Sequence, residues 1–229
     1  MHPPNDLLDF LQICGVRSGL CERLPELQQL LDYLRDANTR HNLTRLTSDD
    51  DFWIKHIADC LAVGGAWPEL LTAPLRIADV GCGAGFPTLP LAWANPELRI
   101  TAIESIGKKA GFVQEAAAHL GLKNVTVVPL QCREAARNPD HAGAYDGVLL
   151  RAVGTPGKFL RETRGLVRNG QGGRIVFYTT PEAIAKESAV TQREAAKFGF
   201  RVAESVPLQL PRAMGERSFL TLERNPIDS

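Results

Sequence analysis

No two of the five cysteines stand in Cys-x-x-Cys spacing, and five is odd, so the sequence supports neither a disulfide framework nor a zinc finger. Long apolar runs are missing as well: no segment approaches the roughly eighteen uninterrupted apolar residues of a membrane span. Met1 to Phe10 carry polar residues and two prolines where an export signal has a basic start and an apolar run. A reducing cytoplasm, with no membrane and no metal, is the expected setting. Net charge is absent too, at 26 Lys and Arg against 26 Asp and Glu, which argues against a uniformly basic nucleic-acid binder. The balance hides a division, because residues 1–75 hold 11 acidic and 6 basic side chains while residues 76–229 hold 15 and 20.

What is present is ordinary globular usage: 229 residues, 44% hydrophobic and 23% charged, enough to bury a core without staples. Disorder, collagen and coiled coil are excluded, and no repeat or low-complexity segment appears. Leu7, Leu8 and Leu11, then Leu24, Leu27, Leu30, Leu31 and Leu34, recur at three- and four-residue spacing and predict two helices. Ser48-Asp49-Asp50-Asp51 predicts the start of a third, over 49–63. From Arg76 the texture changes to short β runs at 76–80, 99–104, 125–130, 146–153 and 174–178, separated by helical patterns. Such alternation implies a mostly parallel sheet covered on both faces, and the last runs, 200–210 and 218–224, add an antiparallel hairpin at its edge. Residues 1–75 are expected to form a helical extension and residues 76–229 the α/β domain.

The strongest local signal is Asp79-Val80-Gly81-Cys82-Gly83-Ala84-Gly85-Phe86, a strand running into three alternating glycines. Glycines beyond the carboxyl end of a parallel strand let backbone approach a ligand. The spacing is Gly-x-Gly-x-Gly, and Phe86 stands where a dinucleotide loop wants a third small residue, so NAD loses ground. Glu104 ends the next strand, where a carboxylate can accept ribose hydroxyls. Glu134 and Ala135 follow the third strand at the place of adenine contacts, though a plain helix start accounts for them nearly as well. The fourth strand ends Arg151-Ala152-Val153-Gly154 and not in the Asn/Asp-Pro-Pro-aromatic pattern of exocyclic amine methylation, so Arg151 points at an anion or at acceptor atoms on a base or cofactor.

Taken in order, these motifs resemble the small-subunit ribosomal RNA guanine-N7 methyltransferase family. The resemblance rests on Asn42-Leu43-Thr44, His56-Ile57-Ala58-Asp59-Cys60-Leu61, the loop from Asp79 to Pro87 with Leu89-Pro90-Leu91-Ala92, Glu104-Ser105 with Gly107-Lys108-Lys109 and Phe112, and Arg151-Ala152. It departs at Cys60, where the family has Ser, at Thr88, where it has Gly, and at Tyr178-Thr179-Thr180-Pro181, which lacks the family's Lys-Gly. The resemblance implies a class I, Rossmann-like fold with a seven-stranded sheet and a helical N-terminal extension. It implies S-adenosylmethionine as cofactor, contacted by Gly81, Phe86, Glu134, Ala135 and Arg151, beside Asp79, Gly83, Gly85 and Glu104 from the motifs themselves. It also implies methylation of guanine N7 in 16S ribosomal RNA, with RNA or the small subunit as partner; a monomer is the separate expectation. Guanine N7 carries an unprotonated lone pair, so no catalytic acid or base is named. A small-molecule methyltransferase with the helical extension as a lid is the rival enzyme, and a cofactor-binding or NAD-binding module without turnover the rival from another class.

Between Arg151 and Arg174 stand six basic residues and one acid. At about 100° per residue, Lys158, Arg161, Arg164 and Arg168 share one face of a helix. A solvated face is the usual meaning, and phosphate contact is the alternative. Lys108 and Lys109 near the site's rim add to the RNA reading, as do Arg212 and Arg217 around a hairpin tip at Met214-Gly215-Glu216. His56, Asn42 and Asp59 cap the target pocket or simply pack, while Cys82 and Cys132 are expected to pack.

Overall fold

The computed structural model describes residues 5–41, 43–44, 48–152, 154–170, 172–204 and 206–226. Helices α1 (Asn5–Ile13), α2 (Ser18–Cys21) and α3 (Glu26–His41) come first. The expected third helix is a π-helical segment, Asp51–Ala58, running into α4 (Asp59–Leu61) and a 3₁₀ turn, Ala62–Gly65. Ser48 caps it: its hydroxyl accepts the Asp51 N–H at 3.1 Å and donates to the Asp51 carboxylate at 2.7 Å.

Then follow β1 (Arg76–Val80), α5 (Thr88–Ala94), β2 (Arg99–Ile103), α6 (Gly107–His119), β3 (Val125–Val128), α7 (Cys132–Ala135), β4 (Gly147–Arg151) and α8 (Pro156–Thr163). The chain closes with β5 (Arg174–Thr179), α9 (Pro181–Lys197), β6 (Phe200–Glu204), β7 (Leu208–Gln209) and β8 (Glu216–Arg224). The strand order is β3-β2-β1-β4-β5-β8-β6, parallel from β3 to β5, with β8 antiparallel to both neighbours. The seven expected strands form this path, and the two-residue β7 adds a short pairing to β8. The edge differs from expectation in one respect: β8 slots between β5 and β6, so the terminal hairpin leaves β6 outermost.

Alternate residues of each strand feed two cores, as a period of two requires. Ile77, Ile100, Leu149 and Val176 join the core packed by α3, α5, α6 and the helical segment 51–65. Ala78, Ile103, Leu150 and Ile175 join the other, with Leu160 of α8 and Ala195 of α9. The first core runs unbroken from Leu7 to Phe219, so the N-terminal helices and the sheet bury one another. All three tryptophans lie in this seam: Trp53, Trp67 and Trp93 are buried, Trp93 donating to Glu26 of α3 at 3.0 Å. Trp67 fills the space over Gly147, where a Cβ would stand 2.3 Å from the indole. Tyr33 of α3 stacks on Phe112 of α6 and donates to Glu115 at 2.7 Å. No described helix is long and apolar enough to cross a membrane.

Candidate functional site

The parallel strands bring Val80, Ile103, Val128, Arg151 and Thr179 to one end of the sheet. There the Gly81 N–H continues the ladder onto the Ile103 carbonyl at 2.8 Å before the chain leaves the sheet. Gly81, Gly83 and Gly85 all have positive φ, at 71°, 58° and 84°, a region that side chains other than glycine's rarely enter. At Gly85 a Cβ would also stand 2.7 Å from Leu89 of α5. Glu104 meets this loop directly: its carboxylate accepts the Gly83 N–H at 3.0 Å and the Ile106 N–H at 2.9 Å. It is a buried clamp between the glycine loop and the end of β2, not a solvated strand end.

Asp79 faces the other way, beneath the loop. One carboxylate oxygen accepts the Thr88 N–H at 3.1 Å and the Thr88 hydroxyl at 2.6 Å, fixing the first turn of α5. The other oxygen is buried without a hydrogen-bond partner. Burial pushes this carboxyl up to about 6, against the opposing effect of the two Thr88 hydrogen bonds. Thr88, a departure from the family pattern, is thus used.

The anion at which Arg151 points is Asp59. Arg151 Nε donates to Asp59 at 2.8 Å and its terminal nitrogen to the Lys55 carbonyl at 2.6 Å. Arg217 Nε donates to the other Asp59 oxygen and its Nη1 to the Thr179 carbonyl at 3.2 Å. Asp59 is fully buried between two guanidinium groups, one from β4 and one from β8. The sequence reading of Arg217 as an RNA-facing residue at a hairpin tip is therefore corrected: β8 aims it inward. Arg212 is likewise engaged, pairing with Asp50 at 2.5 Å and with Asp6 at 3.7 Å.

His56, three residues ahead of Asp59, stacks on Phe86 with ring centroids 4.0 Å apart and planes 12° apart. The helical segment 51–65 thus touches the site twice, through the aromatic stack and the ion-paired Asp59. Glu134 caps α7, accepting the Gln131 N–H at 3.0 Å in a capping box, and its side chain is exposed. Ala135 is fully buried, and its N–H goes to the Gln131 carbonyl at 3.0 Å. Asn42 and Val153 lie outside the described residues. Burial pushes the Cys60 and Cys82 thiols up, and Cys132 up to about 12, so these sulfurs are protonated packing groups. Among the described residues no group of His, Cys, Asp and Glu is arranged to hold a metal ion.

The basic stripe does not survive as one helix face. Helix α8 ends at Thr163, so it carries Lys158 and Arg161 only. Arg164 is its C-cap, with the guanidinium 4.5 Å from the Phe198 ring, and Arg168 lies beyond, paired with Asp146 at 2.8 Å. Because α8 runs from the carboxyl end of β4 back to the start of β5, Arg164, Arg168 and Arg174 stand toward the opposite end of the sheet from the glycine loop. The helical spacing of the cations runs on past Thr163, where the helix itself stops. Exposed Lys108 and half-buried Lys109 open α6 next to Glu104, and exposed Lys158 lies in the first turn of α8, none within ion-pair distance of a described carboxylate, while Arg161 in the last turn of α8 stands 3.6 Å from Glu194 of α9.

A family model described as rRNA small subunit methyltransferase G matches residues 23–213. The chain is 36% identical over 206 residues to ribosomal RNA small subunit methyltransferase G of Deinococcus radiodurans, covering 87% of this chain and 77% of that one. It is 35% identical to the protein of the same name from Roseiflexus castenholzii, covering 81% and 78%. Among solved structures, a SAM-dependent methyltransferase from Aquifex aeolicus aligns with TM-score 0.56 at 18% identity, over 80% of this chain and 96% of that one.

Proposed function

The chain belongs to the rRNA small subunit methyltransferase G family, a class of S-adenosylmethionine-dependent enzymes, and from that premise we propose that it methylates N7 of one guanine in 16S ribosomal RNA. The choice of atom follows the family, and what supports it is that the acids nearest the glycine loop are already engaged and that His56 is stacked face to face on Phe86. Glu104 is held by two backbone N–H groups, Asp59 by two arginines, Asp79 by Thr88, and the thiols are protonated. None of these groups is placed to take a proton from an acceptor. Guanine N7 has no proton to lose, so proximity and orientation suffice.

The glycine cradle fits the proposed cofactor because Gly81 and Gly83 leave backbone accessible beside a buried carboxylate, while Gly85 is packed under Leu89. Gly81, Gly83 and Gly85 would hold S-adenosylmethionine with Glu104, and Phe86, Glu134, Ala135 and Arg151 would border it. When bound, the cofactor supplies an electrophilic sulfonium methyl group. In this reading Arg151, fixed by Asp59, presents its remaining N–H groups along the wall of the target pocket. The His56–Phe86 stack seals the seam between the helical extension, residues 1–75, and the catalytic domain, residues 76–229, and keeps water from the reacting face. Lys108, Lys109, Lys158 and Arg161 neutralise phosphates of the bound loop, a contact that positions without reading sequence.

Incubating the protein with methyl-labelled S-adenosylmethionine and unmodified small subunits tests the proposal. The expected product is labelled 16S RNA that borohydride and aniline cleave at a single guanine, the signature of N7 methylation. Label at another atom would remove the N7 assignment, and no label in RNA despite cofactor binding would favour a small-molecule acceptor.

A further inference from the structure

The end of the sheet away from the glycine loop is lined with arginine. Arg76, Arg99 and Arg174 open β1, β2 and β5, Arg224 closes the antiparallel β8, and Lys123 stands two positions before β3. Arg76 and Arg99 are register partners on adjacent strands, so two exposed guanidinium groups are placed side by side. Like charges directly opposite on neighbouring strands destabilise a sheet, so the fold gains nothing from this placement. Neither they nor Lys123 has a described carboxylate within ion-pair distance.

The carboxylates nearby are too few. Asp146 is paired with Arg168, and Glu223 is shared between Arg174, at 3.2 Å, and Arg201. Glu97 and Asp146 are the acids lining the groove that Arg23, Arg76, Arg99 and Lys123 border, a depression of about 910 Å³, and Arg23 is itself paired with Glu26 at 2.8 Å. Burial first, and then the neighbouring Arg164, lower the affinity of Arg224 for its proton. Half-buried Leu120 and Leu122 line the groove beside the cations, and exposed Val206 shares a hollow with Arg174 and Glu223. The charged groups among these residues are mostly cations, of the kind that suits phosphate.

We infer that this basic rim is a second docking surface for ribosomal RNA, gripping backbone phosphates while the glycine-loop end takes the target base. The inference rests on the reading of the protein as an rRNA methyltransferase. Strands of five residues separate the two ends by about 16 Å, a span that neighbouring segments of one folded RNA can bridge. Arg164 and Arg168 then belong to RNA binding through this end.

The test is an Arg76→Glu, Arg99→Glu, Lys123→Glu variant, compared with wild type for binding to deproteinised 16S RNA and to small subunits across a salt series, for methylation kinetics, and for calorimetric binding of S-adenosylmethionine. The expected result is at least a tenfold weaker affinity and higher KM for RNA, a log–log salt slope smaller by about 2, and unchanged kcat and cofactor affinity. If the glutamates abolish cofactor binding and so report misfolding, Arg76→Gln with Arg99→Gln carries the same measurement, with about threefold weaker RNA binding expected. Wild-type RNA affinity and salt slope in a folded variant, while the wild-type enzyme methylates RNA, would overturn the docking surface alone. A defect seen with subunits but not with deproteinised RNA would also overturn it, assigning the rim to an acidic protein. A wild-type enzyme that leaves RNA unmethylated would overturn the underlying reading and this inference with it.

Discussion

The two ends of the sheet treat charge in opposite ways. At the glycine-loop end, Asp59 is buried between Arg151 and Arg217, and Glu104 is bonded to two backbone N–H groups. At the other end Arg76, Arg99 and Lys123 face solvent with no described carboxylate in ion-pair range. Buried pairs are expensive to desolvate and pay back in geometry, so they fix where groups stand. Exposed cations contribute little to stability but extend a field to about a Debye length, so they govern encounter with a polyanion. A chain of zero net charge thus assigns one set of charges to shape and another to attraction.

The sharpest way to break this contrast is Asp59→Ala, which leaves two arginines facing each other in a buried space. It should cost about 3–5 kcal/mol, read as a lower denaturant midpoint with unchanged slope. A loss below about 1 kcal/mol would mean that the pairs are as weak as surface ones. The Asp79 carboxyl gives the next largest effect, in pH dependence. Its folded-state pKa lies above the unfolded one, so the folded chain binds the extra proton and stability falls as pH rises from about 4 through 6. Asp79→Asn should flatten that part of the stability–pH curve, worth up to about 3 kcal/mol for a shift of about two pH units. A slope of the opposite sign in wild type would disprove the raised pKa.

Smaller effects are expected from exposed cations outside that far end. Lys108→Ala with Lys109→Ala should weaken RNA binding severalfold and reduce the salt slope by about 1 for each phosphate no longer neutralised, with stability unchanged. An unaltered slope would remove both lysines from the RNA path. Arg161→Ala should change stability by less than about 0.5 kcal/mol, because its pairing with Glu194 is 3.6 Å long and the arginine 66% exposed. A larger loss by thermal unfolding would place Arg161 with the structural charges.

Much of the sheet was legible because each strand is a short apolar run closed by turn residues, and the glycine loop because three positive φ angles demand glycine. Glu104 was legible as a strand-end carboxylate, but its bonds to Gly83 and Ile106 were not. The stripe from Lys158 to Arg168 misled because the helical spacing of the cations continues past Thr163, where α8 ends just ahead of Gly165. Arg217 was misplaced for a different reason. Its partner Asp59 is 158 residues away, and only the insertion of β8 beside β5 turns its side chain inward. The acid-rich start at Ser48 located the third helix, while its π-helical winding carries no signal in a single sequence.

The burial of Trp53, Trp67 and Trp93 in the seam between the helical segment and the sheet has an optical consequence. Every indole in the chain reports on that one junction, so its ultraviolet emission describes the docking of the N-terminal helices and little else. Opening the seam would wet all three together and shift the spectrum to the red. The molecule therefore carries a label-free signal for the integrity of the core that joins its N-terminal helices to the sheet.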